Sequence, residues 1–123
     1  MELRFFDDPV PFLDVAADHL AEQPVVSTVV SGVANRIAAD DADGVAWPDG
    51  VPRWFAVVLD GDEIVGAAMR TARSGGFPAF LLPMPEDVAR LLARSLIERD
   101  EPVPAANGAL PAVEGFCDEM AAH

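Results

Sequence analysis

Carboxylates are the most abundant groups in this chain that could perform acid–base chemistry, because 21 of its 123 residues are Asp or Glu. Two clusters of them are considered first. Asp40, Asp41 and Asp43 form the first cluster, in a pattern that faintly resembles a calcium loop. The first and twelfth ligand positions of such a loop would be Ala39 and Gly50, neither of which carries a carboxylate. The sequence therefore predicts no calcium site, and we interpret the cluster as a solvated acidic loop.

The second cluster is Asp60, Asp62 and Glu63, which surround Gly61 in a predicted tight turn. Carboxylates in a turn are well solvated, so this pattern is typical of a surface turn and does not by itself indicate catalysis. We interpret these three acids as surface residues.

Two histidines and one cysteine are the candidate metal ligands and nucleophiles. His19 falls on the face of a predicted amphipathic helix, which favours a structural role, and His123 is the last residue. Cys117 shares a helical face with Phe116 and Met120, which favours a core thiol. Neither histidine lies near the cysteine or the other histidine in sequence, so no metal site is predicted.

Three other sequence features bear on ligand binding or nucleophilic catalysis. The stretch 74–76, Ser-Gly-Gly, is not followed by a lysine and opens no helix, so it predicts a turn and not a phosphate loop. The sequence contains no Gly-x-Ser-x-Gly elbow of the serine hydrolases. Trp54 begins a predicted strand and is expected in the core, whereas Trp47 could line a ligand groove.

The charge balance is strongly acidic, with eight arginines, no lysine and a formal net charge of −13. Such a chain repels nucleic acid and anionic lipid at long range, so neither nucleic acid nor a membrane is expected as a partner. A cationic amine or a basic protein is the electrostatically favoured partner. An acidic balance is also typical of a chain that is merely very soluble.

Length and composition predict a single domain over residues 1–123 with a substantial core. No run approaches the roughly 18 apolar residues of a membrane span, and charged residues interrupt the N-terminus before any signal-like apolar run. With one cysteine no internal disulfide can form. We therefore expect a cytoplasmic protein.

The hydrophobic periodicity predicts an α/β (α+β) fold with a mostly antiparallel central sheet flanked by helices, in the order β-α-α-β-β-β-α-β-α. The predicted elements are a strand over 3–6, a helix from Pro9, a helix from Pro24, a loop over 40–52, strands over 54–59, 64–71 and 77–82, a helix from Pro85, a short strand at 102–104, a turn at 107–108 and a helix over 111–120. The buried stripe predicted for the second helix consists of Val25, Val26, Val29, Val30, Val33 and Ile37.

This element order resembles the GNAT (Gcn5-related) N-acetyltransferase fold. Residues 54–70, which read WFAVVLDGDEIVGAAMR, are similar to the second and third strands of that family. Residues 77–96 resemble its fourth strand and the helix that follows. The resemblance implies an acetyl-CoA-dependent acyltransferase of bacterial type, so the departures from the family's motifs matter.

The main departure lies where acetyl-CoA would bind. The family carries an Arg/Gln-x-x-Gly-x-Gly/Ala loop between the fourth strand and its helix, and the backbone N–H groups of that loop hold the pyrophosphate. Here the junction, residues 82–87, reads LPMPED. Pro83 and Pro85 have no N–H to donate, and Glu86 and Asp87 add negative charge. We therefore assign no cofactor-binding residue to this chain.

A second departure concerns catalysis. Many family members use a tyrosine as general acid, and this chain has none. Asp62 or Glu63 could act as a general base, but their spacing selects neither, so the catalytic residues stay unknown. The junction is similar to that of the degenerate N-terminal lobe of two-lobed bacterial GNAT proteins, in which a second lobe binds the coenzyme.

Three functions remain open from the sequence. The first is a non-catalytic GNAT-like lobe that packs on a second GNAT lobe or on a copy of itself, with acetyl-CoA bound only if a catalytic lobe is present. The second is an active N-acetyltransferase that acts on a cationic amine. The third is an acidic module that binds a basic protein.

Overall fold

The computed structural model describes residues 1–73 and 76–122 as a mixed α/β domain with a five-stranded sheet and four helices. The elements in chain order are β1 (Glu2–Phe6), α1 (Pro9–Glu22), α2 (Pro24–Ala42), β2 (Trp54–Asp60), β3 (Glu63–Arg70), β4 (Ala79–Leu81), α3 (Glu86–Glu98), β5 (Ala106–Gly108) and α4 (Ala112–Ala121). The predicted mixed α/β class is confirmed. The prediction of a turn at 74–76 falls mainly on Ser74 and Gly75, which lie outside the described residues, as does His123.

The strands lie side by side in the order β1-β2-β3-β4-β5. The first four pair antiparallel, and β5 pairs parallel to β4. Side chains of a strand alternate between the two faces of a sheet. In β2, Trp54, Ala56 and Val58 join the core under α3 and α4, while the intervening apolar residues join the core under α1 and α2. Both faces are covered, which explains the unbroken apolar run of this strand.

Local signals set the start of the first helix as predicted. Asp8 is its N-cap, and its Oδ1 accepts a hydrogen bond of 2.9 Å from the Val10 N–H. Pro9 occupies the first turn, where its missing N–H leaves no bond unmade. The side chain of Phe12 then stacks on Phe55, with ring centroids 5.0 Å apart, and fixes α1 to the sheet.

The buried stripe predicted for α2 is wrong in its first half. The helix buries Ser27, Val30, Ala34 and Ile37. Val25, Val26 and Val29 are 85%, 42% and 49% exposed. The valines lie on more than one face of the helix, so their periodicity does not single out the face that packs. The helix also runs to Ala42, so the predicted loop begins later than residue 40.

Two strand predictions are also wrong in their bounds. The fourth strand is shorter than predicted, because Phe77 has a φ of +54° and Pro78 has no N–H for a ladder bond. The fifth strand is Ala106–Gly108 and not 102–104. Pro102 and Pro104 cannot donate to a ladder, so pairing with β4 begins beyond them, at the segment predicted to turn.

Candidate functional site

The β4–α3 junction offers few amide groups to an anion. The Leu82 N–H donates to the Ala67 carbonyl at 3.0 Å, and the Val88 N–H donates to the Pro85 carbonyl at 3.1 Å. Pro83 and Pro85 have no N–H. The junction amides that remain are those of Met84, Glu86 and Asp87, and the last two residues carry carboxylates.

Helix α4 lies directly against the first turn of α3. A Cβ atom built on Gly115 would lie 2.6 Å from Glu86 Cγ and 3.1 Å from the Glu86 carbonyl oxygen. Arg90 links the same two helices through contacts of 2.9 Å to Glu86, 3.7 Å to Asp118 and 3.6 Å to Glu119. The hydrogen bond to Glu86 raises the pKa of the Arg90 guanidinium above its ordinary value. These acids therefore stabilise the helix pair, and they keep negative charge at the N-terminus of α3.

An apolar cleft of about 250 Å³ opens at the carboxyl ends of β4 and β5, beside α2. It is lined by Val25, Val26, Val29, Phe80, Leu81, Leu82, Pro83, Gly108 and Ala109. Gly108 is required at its base, because a Cβ there would overlap the Leu81 carbonyl oxygen. The lining contains no charged residue, so the cleft can bury an apolar group but offers no side-chain partner to a phosphate.

A second cleft, the acidic cleft, has a volume of about 240 Å³ and lies between α1 and the β2–β3 turn. Its lining residues are Val15, Asp18, His19, Glu22, Asp62, Glu63 and Ile64. The structure thus brings together His19, Asp62 and Glu63, whereas Asp60 is outside the lining. The Nε2 atom of His19 is buried and has no hydrogen-bond partner among the described residues.

Sequence reasoning missed the other two acids of this cleft. Asp18 and Glu22 are four residues apart on α1, a spacing that places both on one helix face. This spacing indicates an acidic face on α1, but it does not indicate that the β2–β3 turn lies opposite that face. Within residues 1–73 and 76–122, no three potential ligands are placed to hold a metal ion.

A third cleft, the arginine cleft, lies on the same side of the sheet and has a volume of about 310 Å³. It is lined by Val33, Arg36, Met69, Thr71, Ala72, Arg73, Pro78, Phe80 and Asn107. Trp47 lies beside it, with the Arg73 guanidinium 4.9 Å from the ring centroid and the Arg53 guanidinium 5.3 Å from it. None of these arginines was a candidate in the sequence.

The remaining sequence candidates have structural surroundings. Asp41 lies at the end of α2 and binds Arg53, with 2.7 Å between Oδ2 and the guanidinium, and this hydrogen bond lowers the pKa of the Asp41 carboxyl. Trp54 is buried, as predicted, and its Nε1 donates to Glu101. Cys117 is half-buried and packs against the core under α3 and α4, together with Met120.

Comparison with known proteins adds no relative to these observations. No protein family, no curated protein and no solved structure matches this chain. Among the described residues, the helices are too short or too polar to cross a membrane. Any functional interpretation therefore depends on the residues themselves.

Proposed function

We propose that this chain is a non-catalytic GNAT-like lobe that does not bind acetyl-CoA and functions by packing against another domain of the same kind. The element order, with two helices before a meander and a parallel fifth strand, supports the resemblance. The observation that carries the proposal is the chemistry of the β4–α3 junction. Pro83 and Pro85 remove donors at that position, and Glu86 and Asp87 repel phosphate.

The exposed valines of α2 support an associating role. Residues 24–35 contain no charged side chain, although the chain as a whole carries a net charge of −13. Two copies of so acidic a chain repel each other at long range, and contact through an uncharged surface keeps that repulsion smallest. The exposed side chains of Val25 and Val29 provide that surface beside the apolar cleft. For the isolated chain the partner is therefore a second copy, and in a two-lobed assembly it is the catalytic lobe.

Calorimetric titration with acetyl-CoA tests the coenzyme half of this proposal. We expect no binding tighter than a Kd of about 1 mM, since the junction lacks donors and adds like charge. Micromolar binding by this chain alone would refute the proposal. Titration with coenzyme A lacking the acetyl group is the control, because it retains the phosphates.

Sedimentation equilibrium tests the associating half. We expect a monomer–dimer equilibrium that Val29→Glu shifts to monomer, because the charge would lie in the interface. The matched control is Val10→Glu, which places the same charge on another exposed valine, on α1. A chain that stays monomeric at high concentration, or a Val10→Glu variant that dissociates as fully as Val29→Glu, would count against the proposal.

The acidic cleft favours one alternative function, the binding of a cationic amine, either as the acceptor of an acetyl group or as part of a basic protein. Four carboxylates and His19 line the same cavity. Titration with spermidine tests it, with Glu63→Gln as the variant and Asp60→Asn as the control outside the lining. The alternative requires spermidine binding that weakens as the salt concentration rises. It also requires that Glu63→Gln weakens this binding and that Asp60→Asn does not. Turnover of acetyl-CoA with such an amine would distinguish catalysis from binding.

A further inference from the structure

Arginine pairing is uneven across this acidic molecule. Of its eight arginines, five form ion pairs with carboxylates: Arg4, Arg53, Arg70, Arg90 and Arg99. Within the described part of the chain, Arg36, Arg73 and Arg94 have no carboxylate partner. With 21 acids available, three unpaired cations are unexpected, and two of them line one cavity.

The arginine cleft combines these two charges with an apolar floor. Met69 is only 4% exposed, and Val33 and Phe80 are half-buried and belong to the core under α1 and α2. Arg36 reaches the cleft from α2, and Arg73 reaches it from the segment that follows β3. The cleft therefore combines two arginines with apolar side chains in one lining, a composition suited to a ligand with both an anionic and an apolar part.

Trp47 restricts the position of one of these guanidinium groups. Its Nε1 donates to the Val51 carbonyl at 2.9 Å, which fixes the ring. Arg53 and Arg73 both stack on that ring, but Arg53 already binds Asp41. Arg73 keeps its charge uncompensated while its orientation is restrained, so less rotational freedom is lost when it binds an anion.

We propose that the arginine cleft binds a small amphipathic anion, one whose carboxylate or phosphate group contacts Arg36 and Arg73 while its hydrocarbon part covers Met69 and Phe80. The amide of Asn107 adds an uncharged donor to the lining. A volume of about 310 Å³ corresponds to the share of roughly ten liquid water molecules, enough for a head group and a short chain. The proposal does not depend on the proposed association.

The overall negative charge does not exclude such a ligand. Repulsion from distant carboxylates is screened over about 8 Å at physiological salt, whereas the two guanidinium groups act at contact distance. Arg forms two parallel hydrogen bonds to a carboxylate or a phosphate, which a single ammonium cannot do. The surrounding acids slow the approach of the anion but do not compete at the site.

The test titrates the full chain with octanoate, octyl phosphate and 1-octanol, and follows binding by calorimetry and by tryptophan fluorescence, to which Trp47 and the buried Trp54 both contribute. We expect both anions to bind at least about tenfold more tightly than the alcohol, because only they engage the guanidinium groups. The stronger of the two anions identifies the head group. Equal binding of octanol and the anions, or no binding by any of them, overturns the proposal.

Three matched variants locate the site. We expect Arg36→Gln and Arg73→Gln each to weaken binding of the better anion about fivefold or more, since each removes one charged contact. Arg94→Gln is the control, because it removes the same charge from another exposed, unpaired arginine, on α3. If Arg94→Gln weakens binding as much as the other two, the effect is one of net charge and the proposal is wrong. All three arginines are exposed, so thermal unfolding should confirm that the variants stay folded.

Discussion

The two helical layers cover opposite faces of the same sheet but differ in how tightly they pack. Helices α3 and α4 pack so tightly that a Cβ on Gly115 would lie 3.1 Å from the Glu86 carbonyl oxygen, and Arg90 bridges the two helices. Helices α1 and α2 border all three clefts described above. Helix α2 also exposes three valines and an unpaired arginine, so the layer it belongs to is the open one.

The difference separates residues that hold the fold from residues free to bind. In the α3/α4 layer Arg90 binds acids of both helices, whereas Arg94 has no carboxylate partner among the described residues. In the α1/α2 layer three valines of α2 face solvent, which is an unfavourable arrangement for solubility. An arrangement of that kind is expected where a surface has a binding role, so we place both proposals there.

Substituting one valine in each layer tests this contrast most strongly. Val88 in α3 is 3% exposed, and Val25 in α2 is 85% exposed. We expect Val88→Ser to lower the free energy of unfolding by about 2–4 kcal/mol, because it creates a cavity and buries a hydroxyl. Val25→Ser should change it by less than about 0.5 kcal/mol. Urea unfolding measures both, and a large loss with Val25→Ser in dilute, monomeric protein would mean that α2 is packed after all.

Replacing one helical glycine in each layer by alanine should change the free energy of unfolding in opposite directions, and by less than Val88→Ser. An added methyl at Gly115 would meet Glu86, whereas at Gly32 in α2 nothing lies within 4 Å. We expect Gly115→Ala to destabilise by about 1–2 kcal/mol, because the Glu86 carbonyl at 3.1 Å belongs to the backbone and cannot move freely. Gly32→Ala should stabilise by about 0.5–1 kcal/mol through helix propensity. Melting temperatures that shift in the same direction would remove the distinction between the layers.

The same contrast explains which parts of the fold the sequence could predict. In α3 the apolar spacing predicts a buried stripe of Val88, Leu91, Leu92 and Leu96. Three of these are buried and Leu91 is half-buried, so charged neighbours mark the solvent side of this helix well. In α2, Val25, Val26, Val29 and Val30 lie on more than one face, and no charged neighbour marks the solvent side. Only the tertiary packing against α1 and the sheet decides which valines are buried.

The candidate sites were harder to predict than the helices. His19 and Glu63 are 44 residues apart in the sequence, and only the packing of α1 beside the β2–β3 turn brings them together. Arg36 and Arg73 belong to no recognisable motif, because a single arginine on a helix or in a loop does not indicate a binding site. What distinguishes them is that they share one cleft and lack a carboxylate partner among the described residues, and both properties exist only in three dimensions.

The smallest expected effect concerns the one ion pair described near Trp47, between Asp41 and Arg53. The hydrogen bond from Arg53 lowers the pKa of Asp41 below its ordinary 3.8, so folding favours the ionised carboxylate. The stabilisation is therefore complete above pH 3.8 and is lost as the pH falls through the lowered pKa of the folded state. Asp41→Asn should cost about 0.5–1 kcal/mol at pH 7, because the pair is bidentate but partly exposed. The cost should vanish in strong acid.

Asp43→Asn, which removes an acid of the same segment without an ion pair, is the control and should show no such loss. An Asp41→Asn cost that persists unchanged in strong acid would mean that the side chain acts through its shape and not its charge, and the open layer would then be more closely packed than its clefts indicate.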